Sequence, residues 1–183
     1  IALSVADALA HAQEHHVIHR DVTGRNIMLA RDHRVVVLDF GLALAAWESR
    51  LTATGTRMGT APYIAPEILL GQAVGVRSDI YSLGIVLYEA LTGAVPFASN
   101  NAAGLFHRAL HDTPAPPSER RPEVPAALDA IVLRAIAREP DARFATMREF
   151  EAALGAFVQS PGANASHADA RVDLEPARRA MAV

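Results

Sequence analysis

The stretch that decides the fold runs from His19 to Gly41. It reads His19-Arg20-Asp21-Val22-Thr23-Gly24-Arg25-Asn26, then Ile27-Met28-Leu29-Ala30, then Arg31-Asp32-His33-Arg34, then Val35-Val36-Val37-Leu38-Asp39-Phe40-Gly41. Two short apolar runs around a four-residue polar connection predict a β-hairpin. With 31–34 as the loop, Ala30 faces Val35, and the same register sets Asn26 opposite Asp39 at the open end. Cross-strand neighbours lie about 5 Å apart at Cβ. An amide oxygen and a carboxylate at that separation can share a hard cation with a polyphosphate, because Mg²⁺ takes few protein oxygens and keeps phosphate or water for the rest. Asp21 stands in the loop before the first strand, near the same end. A third acid beside such a site is a candidate base for a hydroxyl nucleophile.

Composition narrows the classes. At 183 residues the chain is one domain or part of one. Half of it is apolar, enough for a sizeable core, and a net charge of -3 speaks against a nucleic-acid surface. Without cysteine there is neither disulfide nor thiol chemistry. No apolar run reaches the roughly 18 residues of a membrane span. No signal peptide or internal repeat is visible, and the first residue is Ile1, so a fragment is expected. All 17 basic residues other than histidine are arginine, and no two glycines stand in G-x-G spacing.

Outside the hairpin the pattern is helical. Residues 1–14 read as an amphipathic helix with Ile1, Val5, Leu9 and Ala12 inward. His11, His15 and His16 read as solvated helix-end residues, since no cysteine or well-spaced acid completes a metal site. Val17-Ile18 reads as a short strand. Residues 42–67 lack periodicity and carry Ser49, Thr52, Thr54, Thr56 and Thr60 among Arg50 and Arg57; polar loops this long are usually functional or mobile. Ser78 to Leu91 is apolar nearly all round and so buried on most faces. Ser78-Asp79 stand at its N-cap region and Gly93 is its stop. Asn100-Asn101 cap a helix to about 111. Five prolines make 112–125 an extended connection. Pro125 opens the next helix, with Leu128, Val132, Ala135 and Ile136 inward. Arg138 to Phe144 reads as a loop. Thr146 and Glu149 form a capping box for the last helix. Residues 159–183 turn to Ser, Gly, Asn, Ala, Asp and Arg and read as a flexible linker or tail.

H-R-D-x-x-x-x-N followed by D-F-G resembles the catalytic and metal-binding loops of protein kinases. Three further stretches support the resemblance. Gly59-Thr60-Ala61-Pro62-Tyr63-Ile64-Ala65-Pro66-Glu67 resembles the close of a serine/threonine kinase activation segment. The run Ser78 to Phe97 resembles the central helix of the kinase C-lobe. Arg138-Glu139-Pro140-Asp141-Ala142-Arg143-Phe144 resembles the loop that follows in that lobe. The chain is thus similar to the C-lobe of a bacterial, eukaryotic-like serine/threonine kinase over residues 1–158, with 159–183 as linker. The resemblance implies a mainly α fold with a small β-hairpin at the catalytic edge. The complete domain would be α+β, its N-lobe missing here.

The resemblance also implies roles. ATP is the phosphoryl donor, with Mg²⁺ or alternatively Mn²⁺. Asp21 orients and deprotonates a Ser or Thr hydroxyl of a protein substrate. Asn26 and Asp39 hold the metal, Met28 packs beneath adenine, and Thr60 bonds to Asp21. His19 is a packed loop anchor, Asp79 ties the catalytic loop to the central helix, and Arg143 pairs with Glu67. Arg20, with a phosphate on Thr52, Thr54 or Thr56, is the candidate control point. Two departures stand out. Thr23 occupies the place where serine/threonine members usually carry Lys, while Arg25 matches an arginine of tyrosine-directed members and is a candidate phosphate contact. Moreover, the glycine loop and phosphate-pairing lysine of a kinase are not in this chain. The rival reading is therefore a pseudokinase or orphan C-lobe that serves as a protein-binding scaffold. On the kinase reading the partners would be protein substrates, the chain's own N-lobe and a second copy of the full-length kinase, with no nucleic acid or membrane contact from this segment. The expected location is the cytoplasm, with any membrane anchor of the full-length protein beyond this segment.

Overall fold

The computed structural model describes residues 1–40 and 61–160. The fold is mainly helical, as the pattern predicts, with one two-stranded antiparallel sheet. Among the described residues, α1 (Ala2–Glu14) precedes β1 (Ile27–Leu29) and β2 (Val35–Val37). Six helices follow: α2 (Pro66–Leu69), α3 (Val76–Thr92), α4 (Ala102–His111), α5 (Pro117–Arg120), α6 (Ala126–Ala135) and α7 (Met147–Gln159).

The last turn of α1 shows why no strand forms at Val17-Ile18. His16 takes a left-handed φ of 59°. Its N–H donates to Gln13 O and that of Val17 to Ala12 O, at 2.9 Å each. This is a Schellman closure, and it uses the Val17 amide that a strand would have offered a neighbour. The face of α1 is also shifted: Val5, Ala6, Leu9 and Ala10 are buried while Ile1 is exposed.

The hairpin is present, but its register differs by one residue from the expected one. Ile27 pairs with Val37, Met28 with Val36 and Leu29 with Val35. The loop is 31–33, not 31–34: Ala30 N–H donates to Arg34 O at 2.8 Å and His33 N–H to Ala30 O at 3.0 Å. His33 sits at φ 64°. A tight turn closed by one left-handed residue is a standard three-residue hairpin loop. Leu38, not Asp39, therefore stands opposite Asn26, and its N–H donates to Asn26 O at 2.8 Å.

The helix α3 is the axis of the fold. Ten of its 17 residues are buried, Ser78 through Ile85 without a break. It starts two residues before the expected Ser78, because Gly75 is the N-cap and Ser78 lies at the third helical position, its Oγ accepting the Gly75 N–H. Gly93 at φ 76° ends it. The main core joins α3 to α1, α6, α7 and the hairpin through Val5, Leu9, Ile80, Leu83, Val132 and Phe150, among others. A smaller cluster of Ala61, Ile64, Phe97, Leu105 and Ala109 seats α4.

The proline-rich stretch 112–125 is not wholly extended, since Pro117 starts the short α5 at its first turn. Of the three longer helices after α3, two have side-chain caps: Asn101 accepts the Gly104 N–H at α4, and Thr146 accepts the Glu149 N–H at α7. The Glu149 carboxylate reaches back to the N–H of Ala145 rather than to that of the cap itself.

Gly84 sets how closely α3 and α6 approach. A Cβ there would lie 2.7 Å from Ile136 Cγ2 and 2.9 Å from Ala135 Cβ. Ala favours a helix over Gly by about 1 kcal/mol, but overpacking costs roughly 1–3 kcal/mol. Gly84→Ala is expected to lower stability on balance, read as a lower urea midpoint at unchanged slope; an unchanged or higher midpoint would contradict this packing.

Candidate active site

The candidate site forms where the loop after α1, the hairpin and the start of α3 meet. Asp79 is buried in the first turn of α3. Its Oδ2 accepts the His19 N–H and its Oδ1 the Arg20 N–H, both at 2.8 Å. Arg20 has φ 69°, a conformation that costs a non-glycine residue about 1–3 kcal/mol. A carboxylate that takes both neighbouring amides holds the chain there. Burial pushes the Asp79 carboxyl up, against the pull of these two amides.

His19 is fully buried. Its Nε2 lies 2.8 Å from Leu38 O, and its Nδ1 lies 3.3 Å from the Asp21 N–H. A carbonyl can only accept and an amide N–H can only donate, so the ring is the neutral tautomer protonated at Nε2. The same ring packs on Phe40 with centroids 4.6 Å apart. One imidazole thus joins the loop before Asp21 to the strand that delivers Asp39.

Asn26 closes the arrangement from a 3₁₀ turn, Gly24–Asn26. Its amide nitrogen donates to Asp21 O at 2.8 Å and to Asp21 Oδ2 at 3.1 Å. Carboxylates accept only, so the amide must present NH₂ to Asp21 and keep Oδ1 for another partner. Asp39 follows β2 at φ 61° and is exposed. Among the described residues it has neither an ion pair nor a hydrogen bond. The site thus offers one amide oxygen and carboxylate oxygens, a donor set suited to a hard divalent cation that keeps water and phosphate ligands. Among the described residues it offers no free imidazole or thiolate to a softer ion, since both ring nitrogens of His19 are already bonded. The structure brings His19, Arg20, Asp21, Asn26, Asp39 and Asp79 to this edge. Asp39 reaches it one place beyond the partner of Asn26, not as its cross-strand partner.

Met28 and Leu29 are 47% and 44% exposed on the strand beside this edge, as successive residues on its opposite faces. Arg25 is exposed, whereas Thr23 is buried. Thr60 and the activation-segment residues Thr52, Thr54 and Thr56 lie outside the described residues, as do residues 161–183 of the expected tail.

Beneath the edge a second polar cluster braces α2 against α3. Arg143 and Glu67 are buried at 2% and 4% exposure. Nη1 and Nη2 of Arg143 each donate to one Glu67 oxygen at 2.8 Å. The remaining donors go to the carbonyls of Ala137, Arg77 and Arg138, and the guanidinium lies over the Tyr81 ring. Ser78 Oγ adds a bond to Glu67 Oε1 at 2.7 Å. Burial raises the Glu67 carboxyl, but the guanidinium and this hydroxyl outweigh it and hold the carboxyl below its ordinary value of 4.5.

Two contacts here escape sequence reading. Tyr63 donates to Glu89 Oε2 at 2.6 Å, and Ser82 Oγ donates to Tyr63 O at 2.7 Å. Burial and then the Glu89 carboxylate push the Tyr63 hydroxyl well up, so it stays a donor. Neither pair has a spacing signal, because loop and helix meet only in the fold.

Comparison with known proteins places the chain. The protein kinase domain family matches residues 1–153. Serine/threonine-protein kinase PknB of Mycolicibacterium smegmatis is 42% identical over 156 residues, 84% of this chain and 25% of that protein. The PknB of Mycobacterium tuberculosis is 40% identical over the same shares. Serine/threonine-protein kinase PknJ of Mycobacterium tuberculosis is 42% identical over 160 residues, 84% of this chain and 27% of that protein. The chain therefore spans about a quarter of the length of the curated relatives it matches.

Proposed function

This chain belongs to the protein kinase domain family, and we propose that it is the C-lobe of a serine/threonine kinase that moves the γ-phosphoryl of ATP to a protein hydroxyl. The observation that carries the proposal is the bond from Asn26 to Asp21, which pre-orients the acid and frees the amide oxygen in one stroke. Asp21 takes the hydroxyl proton with a carboxylate fixed on one side only. Asn26 Oδ1 and Asp39 would hold Mg²⁺, which would neutralise charge on the β- and γ-phosphates. Met28 lies under adenine. The Gly59-Thr60 pair, outside the described residues, supports Ser and Thr over the longer Tyr as acceptors.

Arg25 stands in for the lysine that Thr23 replaces. Its exposed guanidinium meets the transferring phosphoryl. Arg25→Ala is expected to lower kcat by roughly 10²-fold; an unchanged kcat makes it a solvated loop residue.

Control runs through Arg20 and the hydroxyls of Thr52, Thr54 and Thr56. A phosphate on one of them carries nearly two negative charges and bonds to the Arg20 guanidinium. Mass spectrometry of active full-length protein should find it. Full activity of the triple alanine variant would contradict it.

The scaffold reading draws on one observation, the absence of lysine and of a G-x-G loop from the sequence. Kinase catalysis needs both walls of its cleft. Residues 1–183 alone should transfer no phosphoryl group, and joining them to the residues encoded upstream should restore transfer. If the upstream residues hold no glycine loop and strand lysine and restore nothing, the scaffold reading stands instead.

A further inference from the structure

Two exposed helix faces carry histidines that the proposed chemistry leaves unused. At the C-terminal end of α1 the rings of His11 and the C-cap residue His15 have centroids 4.5 Å apart, and on α4 those of His107 and His111 are 4.7 Å apart. Residues four apart share one helix face, and imidazole suits zinc, copper and nickel ions.

The two pairs differ in what surrounds them. His15 Nδ1 lies 2.9 Å from the His11 carbonyl. That oxygen can only accept, so Nδ1 carries the proton and Nε2 keeps its lone pair. A backbone carbonyl on the far nitrogen is the usual way a ligating imidazole is held in its tautomer. Glu14 lies in the same turn. Its Oε1 accepts from Arg148 Nε at 2.8 Å, which leaves Oε2 turned toward His11, 3.9 Å from Nδ1. The acid that spacing alone did not supply is thus held in place by an arginine of another helix. Among the described residues neither His107 nor His111 has a side-chain hydrogen bond or ion pair.

We propose that the last turn of α1 binds one divalent transition-metal ion of the zinc and copper class, through a ring nitrogen of His11 and Nε2 of His15. Glu14 Oε2 supplies the neighbouring negative charge, and water completes the shell. No three histidine or acidic groups converge on a ready-made cage among the described residues. The site is therefore an open two-nitrogen chelate, not a closed structural zinc centre. Its position gives it a consequence. The turn ends at His16 with φ 59°, and three residues later the chain reaches buried His19. A metal across 11 and 15 clasps the helix end from which the catalytic loop departs.

Calorimetric titration of the purified full-length protein with zinc chloride in excess Mg²⁺ tests the proposal. His11→Gln, His15→Gln and the double variant His107→Gln/His111→Gln are titrated alongside. All four side chains are exposed, and circular dichroism checks that each variant is folded. One saturable micromolar zinc site is expected. Each α1 variant should weaken it about tenfold or more, and the α4 double variant should leave it intact. Zinc should also raise the thermal midpoint of the unaltered protein but not that of His15→Gln. No saturable binding, binding that survives in His15→Gln, or binding lost equally in the α4 double variant would overturn the assignment.

Discussion

Asp39→Asn is expected to reduce phosphoryl transfer by the full-length protein by roughly 10²–10³-fold, the cost of removing a group that holds charge in the transition state. The side chain is exposed and makes no bond to its neighbours among the described residues, so none of the described contacts depends on its charge. Asn also tolerates the left-handed φ of 61° that Asp39 adopts better than most residues do. Stability should therefore stay level or rise slightly while activity falls. The Mg²⁺ concentration needed for half-maximal activity should rise with it. Unchanged kcat and Mg²⁺ dependence would remove Asp39 from the metal site.

Arg143→Ala should have the largest effect on stability. The guanidinium spends its donors on both Glu67 oxygens and on three backbone carbonyls, and its own surface is almost wholly buried. Deletion strands a buried carboxylate and three carbonyls together. Breaking a buried pair on one side costs about 3–5 kcal/mol, a large part of the usual stability of a domain. Changing Glu67 to Leu as well should recover only part, because the carbonyls stay unpaired.

The same pair makes stability depend on pH. The Glu67 carboxyl is lowered in the folded state, so the unfolded chain binds more protons near and below pH 4.5. The contribution is complete above that value and is lost as pH falls through the lowered folded value. Glu67→Gln should be less stable at neutral pH and lose less on acidification. Parallel urea titrations at neutral and acid pH measure both effects; an Arg143→Ala loss under about 1 kcal/mol would contradict the geometry.

The sequence makes the long elements legible because their signals are local. An apolar run with a glycine stop marks α3, and Asn101 and Thr146 mark the starts of α4 and α7. The hairpin is legible in kind but not in register. A four-residue loop needs His33 to continue the turn, whereas it closes it in the left-handed region. Nothing in a histidine announces that conformation as a glycine would. The short helices α2 and α5 escape because four residues cannot show a period, only a proline at the first turn. At the candidate site the sequence names the groups that meet, but not what each is bonded to. The His19 tautomer and the Tyr63–Glu89 bond depend on atoms distant in the chain, and the Asn26 amide takes its orientation from a turn whose shape residue types do not fix.

The central claim is that Asp21 is the base of a phosphoryl transfer directed at protein hydroxyls. The most direct measurement follows labelled phosphate from the γ-position of ATP into matched Ser, Thr and Tyr peptides. The full-length protein is compared with its Asp21→Asn variant, each purified free of host kinases. The account predicts transfer to the Ser and Thr peptides, little to Tyr, and loss of nearly all of it in the variant. Transfer that persists in Asp21→Asn, or none from the unaltered full-length protein with Mg²⁺ and ATP present, would contradict it.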